Sequence, residues 1–377
     1  MDGTARSRGR VRPTLAAVAA LCLATASGAD AAVISCGTGG PFVAAPPSCP
    51  QGDSIALSGD AALFDVGTRF LQRLAAISSF KTAASAGNNP WGGGADSTPS
   101  ERYRTWLEGY GLASRTDATD DFAGDKRRTF GAVAGAAATI APGVIVGLSV
   151  DQGRTKVDVT NLPANLAQNG HIDLTQIGAL AAFQNGPWSL GTNVIYGFGR
   201  VHSSRFVAGE ASTASYLASL WGAMAELSYY WALPNNSRFV PKITVDWMRT
   251  QTDAFTETGG FLPVSGSGVT STRVRMMVGG EVGHSWLMDR TLLDFSMYAR
   301  MVDNLSQDIG VLELTDAGGS GVSRLLAGIR ESNLGADAGA MLSARVSDTT
   351  RLYAVYDGRF RGNFISHSGT VGAEFRF

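Results

Sequence analysis

Read backwards from Phe377, the chain alternates apolar or small residues with mostly polar ones. Phe377, Phe375, Ala373, Val371 and Gly369 stand against Arg376, Glu374, Gly372 and Thr370. Successive side chains of a strand point to opposite faces, so this segment predicts a strand with one greasy and one polar side. The same texture fills the chain after Ser100. Strands are expected over 104–113, 127–140, 144–159, 171–184, 188–201, 216–233, 238–251, 271–288, 292–305, 333–346 and 351–360, with the terminal strand completing the set. The faces sort by charge. Within 271–288, Val274, Met276, Val278, Val282 and Trp286 oppose Arg273, Arg275, Glu281 and Ser285. Within 292–305, Leu293, Phe295, Met297, Ala299 and Met301 oppose Asp294, Ser296, Tyr298 and Arg300. Within 238–251, Ile243, Val245 and Trp247 oppose Lys242, Thr244 and Asp246.

Taken strand by strand, this pattern fits a soluble sandwich with its apolar faces inward as well as a barrel with its apolar faces in lipid. The connections separate the two. Those at 141–143, 185–187, 234–237, 289–291 and 347–350 are tight, while those at 114–126, 160–170, 202–215, 252–270 and 306–332 are long. Short turns on one side and long loops on the other mark an outer-membrane barrel. The expected fold is therefore all-β, an antiparallel transmembrane β-barrel of about 12 strands over 101–377. Trp188, Trp221, Trp231, Tyr229, Trp247 and Trp286 fall near strand ends, where interfacial girdles belong.

Between Asp60 and about Ser85 the period changes. Leu63, Val66, Phe70, Leu74 and Ile77 recur at steps of three and four, which predicts a helix. Ser58 or Asp60 can cap its start and Gly87 follows its end. At ~1.5 Å per residue it would be about 38 Å long, enough to thread a pore. Arg69, Arg73 and Lys81 give it a cationic side, and NNPWGGGADSTPS (88–100) reads as a linker. Residues 60–100 are thus expected to be a lumenal helix and linker.

The amino terminus adds a compartment. Arg6, Arg8, Arg10 and Arg12 precede an apolar stretch from Leu15 to Ala26, and Ala29-Asp30-Ala31 offers small residues for cleavage. Residues 1–31 read as an export signal cut near Ala31. Val33-Ile34-Ser35-Cys36 resembles a lipidation box but lies well past the apolar stretch. Cys36 and Cys49 close a short loop in the 32–59 segment, and an oxidising compartment favours their pairing. Two cysteines without nearby histidines do not make a zinc site, and no other metal or cofactor is expected.

Composition excludes more than it proposes. Net charge is −1, with Lys+Arg 31 against Asp+Glu 32, and no basic block follows the signal, so no nucleic-acid partner is expected. Charged residues make up 17% and glycine 47 of 377 positions, low charge and high glycine for a soluble enzyme. Mean hydropathy is +0.04, yet after the signal no apolar run is long enough for a spanning helix. Gly52-Asp53-Ser54-Ile55 resembles an esterase nucleophile block, but no α/β domain fits between Ser54 and Trp106. His367 and Ser368 are adjacent on a strand, point to opposite faces and cannot act as a pair. No catalytic residue is expected, and a barrel esterase or phospholipase is the least favoured reading.

Three motifs carry a family resemblance. WLEGYG (106–111), DAFTETGG (253–260) and YDGRFRGNFISHSGTVGAEFRF (356–377) resemble the first strand, the Phe-Thr-Glu-x-Gly region and the ending of autotransporter β-domains, the translocators of type V secretion in Gram-negative bacteria. The resemblance covers roughly 104–377. It implies a twelve-stranded outer-membrane barrel, a helix threading the lumen, and assembly by insertion machinery that reads the terminal strand. Phe377, Phe375 and Val371 would be that assembly signal. Expected partners are the lipid bilayer, the barrel-assembly machinery and periplasmic chaperones, with the barrel a monomer. Autotransporters that cleave themselves at asparagine direct attention to Asn88-Asn89.

The chain departs from the family in having only about 70 residues between signal and Trp106, without the repeats a solenoid passenger needs. Display of a very short passenger is the first reading, and a porin-like or structural barrel without secretion is the alternative. The inward face is expected to hold Glu108, Glu226, Asp246, Glu281, Asp294 and Glu374, with Arg69, Arg73 and Lys81 of the helix meeting some of them.

Overall fold

The computed structural model describes residues 54–85, 102–119, 122–162, 166–207, 209–260, 263–288, 291–316 and 323–377. The expected signal, the Cys36–Cys49 loop and Asn88-Asn89 lie outside the described residues. Among the described residues, twelve long strands follow one helix, α1 (Ser54–Ser85). They are β1 (Tyr103–Thr116), β2 (Asp125–Ala141), β3 (Val144–Val159), β4 (Leu166–Asn185), β5 (Trp188–Val207) and β6 (Glu210–Tyr229). The second half comprises β7 (Ser237–Thr252), β8 (Val269–Met288), β9 (Thr291–Asp308), β10 (Leu334–Arg345), β11 (Thr350–Arg361) and β12 (Phe364–Arg376).

Each strand pairs antiparallel with its chain neighbour, and β12 closes on β1 from Thr116↔Phe364 to Arg104↔Arg376. The backbones of Tyr103 and Phe377 continue that seam with two hydrogen bonds, at 2.9 and 3.0 Å. Closure leaves no unpaired edge, which lipid would not tolerate. Exposure alternates along the strands. Phe375, Val371 and Phe377 face outward, with Phe377 59% exposed, while Glu374 is buried. Trp188, Trp221, Trp231, Trp247 and Trp286 also face outward. No described helix is long and apolar enough to cross a membrane by itself.

The structure departs from the sequence reading in two places. First, α1 begins at Ser54, six residues before the expected Asp60. Ile55 and Leu57 extend its apolar stripe and are buried, so neither Ser58 nor Asp60 caps it. Second, much of the expected loop at 202–215 is ladder, because β5 and β6 stay paired out to Val207↔Glu210. β4 likewise begins at Leu166, inside the expected 160–170 loop. These extensions carry serine, threonine and asparagine outward. They lack the apolar alternation by which the rest of each strand was recognised. Backbone pairing holds them.

The longest connections fold over one mouth. Short strands Phe255–Thr256 and Val264–Gly266, between β7 and β8, join Val311–Asp316 and Ser323–Ala327, between β9 and β10, in a four-stranded sheet. Phe255, Leu312, Leu314 and Leu326 are buried beneath it. The opposite mouth carries tight turns, with Gly143 and Gly186 in the left-handed region at φ 73 and 57.

Candidate functional site: the plugged lumen

Helix α1 fills part of the barrel, and its two sides meet different walls. Leu57, Leu63, Val66, Phe70, Leu71, Leu74 and Ile77 are buried and belong to one apolar cluster with Ile172, Leu174, Leu180, Ile195, Leu220, Met224 and Met248. The wall partners sit on β4–β7, and the helix packs chiefly on β3–β7. Glycines permit the approach. A Cβ on Gly178 would stand 2.6 Å from Leu74 Cδ1, and one on Gly67 would stand 3.1 Å from Met248. Each large side chain buried this way is worth roughly 1.5–3 kcal/mol. The apolar face therefore supplies most of the holding energy, and polar contacts fix register.

The direction of the helix follows from its contacts. The Ile55 amide donates to Gln168 Oε1 (3.1 Å), near the long-loop start of β4. Asp60 accepts from Thr250 Oγ1 (2.5 Å) and Ser271 Oγ (2.8 Å), at the long-loop ends of β7 and β8. Leu74 reaches Gly178, further toward the tight turn that ends β4. The amino-terminal end of α1 thus lies at the long-loop mouth and its later turns point to the short-turn mouth.

The second side of α1 faces an ionic wall. Arg359 Nη1 of β11 donates to Asp65 Oδ1 at 2.6 Å, with side chains 0% and 3% exposed. Arg273 of β8 donates through Nη2 to Thr68 Oγ1 (2.9 Å) and through Nη1 to Glu331 Oε1 (2.7 Å). Arg275 grips Asp246 with Nε at 3.0 Å and Nη2 at 2.5 Å. Asp337 lies between Arg300 (3.0 Å) and Arg361 (2.9 Å). The cluster ties one helix, five wall strands (β7–β11) and the loop before β10 into one buried network. Isolated, such charges would be costly to bury; paired as they are, with Glu331 and Asp337 each shared among arginines, they fix geometry.

The expected site residues fall as follows. Glu108 accepts from Tyr353 (2.6 Å), Glu281 from Lys242 (2.9 Å), and Asp294 from Arg238 (2.5 Å). Glu226 lies 3.9 Å from Lys242, and Glu374 accepts from Arg376 (2.7 Å). Asp246 belongs to Arg275, as above. The cations paired with Glu281, Asp294, Glu226, Glu374 and Asp246 are on the wall, whereas the cation acting on Glu108 is Arg73 of the helix. Arg69 meets a different acid, Asp357, at 3.9 Å, and Arg73 lies over the Tyr110 ring at 3.5 Å. Lys81 lies in the helix, and its side chain is outside those described. The closest helix–wall ion pair has the reverse of the expected polarity, a helix acid against a wall arginine. The missed signal was Asp65, an acid set between the apolar Phe64 and Val66 of the helix. A cavity of about 220 Å³ remains beside Arg69, Arg73, Glu108, Lys242 and Arg300, toward the short-turn mouth.

Glu331, in the loop before β10, is a strap for that loop. Burial pushes its carboxyl up, but Arg273, Arg359, Arg275 and Arg361 outweigh burial and hold it at about 2. A depressed carboxyl contributes stability above its unfolded value, near 4.3, and loses it as pH falls through the folded value. The loop is therefore expected to stay protease-resistant at pH 4, whereas Glu331→Gln should expose it to cleavage at neutral pH. Equal digestion of the two proteins would refute the strap.

The autotransporter β-domain family model matches residues 105–357. The chain belongs to the autotransporter β-domain family. Membership places the barrel in the outer membrane of Gram-negative bacteria and in type V secretion. The translocator domain of the autotransporter NalP from Neisseria meningitidis superimposes with TM-score 0.66 at 17% identity, over 86% of this chain and 100% of that one. The β-domain of the Bordetella autotransporter BrkA superimposes with TM-score 0.52 at 17% identity, over 74% of this chain and all of that one. At such identity the likeness speaks for the fold. No curated protein sequence matches the chain.

Proposed function

We propose that this autotransporter-type barrel displays a very short amino-terminal passenger at the cell surface and performs no catalysis. Residues 1–31 are removed as the export signal near Ala31. Residues 32–53, with a Cys36–Cys49 disulfide, form the displayed segment. Periplasmic chaperones carry the unfolded chain, the barrel-assembly machinery inserts it as a monomer, and the β12 terminus is the signal read. The observation that supports this reading is the direction of α1. Its start at Ser54 lies at the long-loop mouth, and long loops of such barrels face the exterior. The segment ahead of Ser54 is then delivered outside.

An epitope inserted after residue 40 tests this directly. Antibody should label intact cells, and external protease should remove the label while leaving the barrel. An epitope reached only after the outer membrane is opened would sink display and favour the porin-like or structural alternative, for which the cavity beside α1 is the supporting feature.

A further inference from the structure

The outer surface of the barrel is electrically lopsided near its long-loop rim. On β1–β5 the outward, exposed positions include Arg115, Lys126, Arg128, Arg154, Lys156 and Arg200. Strand register makes them one patch: Arg115 stands opposite Lys126, and Arg128 opposite Lys156. The row runs on through Lys156↔His171 and His171↔His202, while Asp173 faces Arg200. Acids are fewer. Asp117 is 3.1 Å from Arg115, Asp158 faces Lys126, and Asp173 is taken by Arg154 at 2.5 and 2.8 Å. Arg128, Lys156 and Arg200 form no ion pair among the described residues. On β9–β12 the corresponding exposed positions are Asp303, Leu305, Leu334, Ala336, Phe360 and Ile365, without a lysine or arginine, and β7 contributes one exposed arginine, Arg249.

The patch borders exposed apolar residues on its short-turn side, namely Val150, Ile177 and Phe198. It thus lies where acyl chains give way to headgroups. His171, His202 and Asp173 lie close enough to suggest a metal site, with stacked rings 4.6 Å apart. The bidentate hold of Arg154 on Asp173, and the neighbouring Lys156, oppose a cation there.

We propose that this face binds the phosphate-bearing headgroup of an outer-leaflet glycolipid. Unpaired Arg128, Lys156 and Arg200 would meet the phosphates, the stacked histidines would add donors, and Val150, Ile177 and Phe198 would lie along the first acyl carbons. Guanidinium groups match phosphate geometry in bidentate fashion. Such lipid would coat one side of the barrel, leaving β9–β12 to uncharged or fluid contacts.

The test uses the full barrel folded in neutral detergent, titrated with purified lipopolysaccharide and with the same lipid after phosphatase treatment. The charge-reversal triple variant Arg128→Glu, Lys156→Glu, Arg200→Glu is expected to bind on the order of 100-fold more weakly, about one kcal/mol per surface cation. Phosphatase treatment should weaken binding to the native protein likewise. A neutral set, Arg128→Gln, Lys156→Gln, Arg200→Gln, serves if the reversed one does not fold, folding being read from heat-modifiable mobility. Unchanged affinity for the dephosphorylated lipid, or for the folded triple variant, overturns the proposal. It rests on the reading that the long loops face outward. Phosphate binding without surface labelling of the epitope would sink passenger display alone, and labelling without phosphate binding would sink this inference alone.

Discussion

Replacing Arg359 with methionine is expected to loosen the helix from its wall and to destabilise the folded barrel by about 3–5 kcal/mol, the usual consequence of leaving one buried charge without its partner. The charge left behind is Asp65, 3% exposed, with Arg359 donating at 2.6 Å. Glu331, 3.6 Å from Arg359, would lose one of several cations and keep Arg273. Adding Asp65→Asn to Arg359→Met should recover much of the loss, because the orphaned charge disappears with it. Urea titration of the detergent-folded protein, followed by its heat-modifiable band, reads both variants. A double variant no more stable than Arg359→Met would show that Asp65 is not where the cost arises. The apolar face of α1 is untouched by either change, so the helix should remain in the lumen. Its ionic side would become accessible, and planar-bilayer conductance should rise in the single variant.

Removing Phe377 is expected to abolish most outer-membrane assembly in cells, while costing the refolded barrel little. The residue is 59% exposed to the lipid side, and its ring stacks on Tyr103 at 6.3 Å. Its backbone makes two bonds to Tyr103 that close the seam beside the thirteen-pair ladder between β1 and β12. Deletion forfeits those two bonds, a loss of about 1–3 kcal/mol at most from a fully paired barrel. Assembly that depends on a machine reading the terminal aromatic would suffer far more than this. Outer-membrane abundance, compared with the unfolding midpoint of the same variant refolded in detergent, separates the two effects. Parallel, proportionate losses in both would mean that Phe377 acts through stability alone.

The sequence revealed the barrel because lipid and lumen impose opposite demands on alternate residues, and glycine and asparagine turns punctuate them. The 271–288 segment shows this directly: Arg273 and Arg275 are buried inward, while Val278 and Val282 face out. Alternation read back from Phe377 carried the closing strand and three-and-four spacing carried the helix, while the family resemblance implied that the helix threads the lumen. What remained hidden was partnership. Nothing in the spacing of Asp65 and Arg359, nearly three hundred residues apart, announces that they meet. Nor could the pattern tell which carboxylates would be consumed by neighbours on the wall, as Asp246 is by Arg275. The rim extensions of β4, β5 and β6 escaped notice for a related reason. Water bathes them, so their pairing leaves no apolar rhythm.

The two-sided packing of α1 has a consequence for the chain before it folds. Where the helix rests on β4 and β5, inward Ile172, Leu174 and Ile195 alternate with outward Ile177, Val194 and Phe198. These strands are apolar on both faces, unlike β8 and β11, whose inward faces carry Arg273, Arg275, Arg359 and Arg361. During transit the middle of the polypeptide is consequently its stickiest part. The demand for protection from aggregation falls there, far from the carboxy-terminal strand that insertion would read.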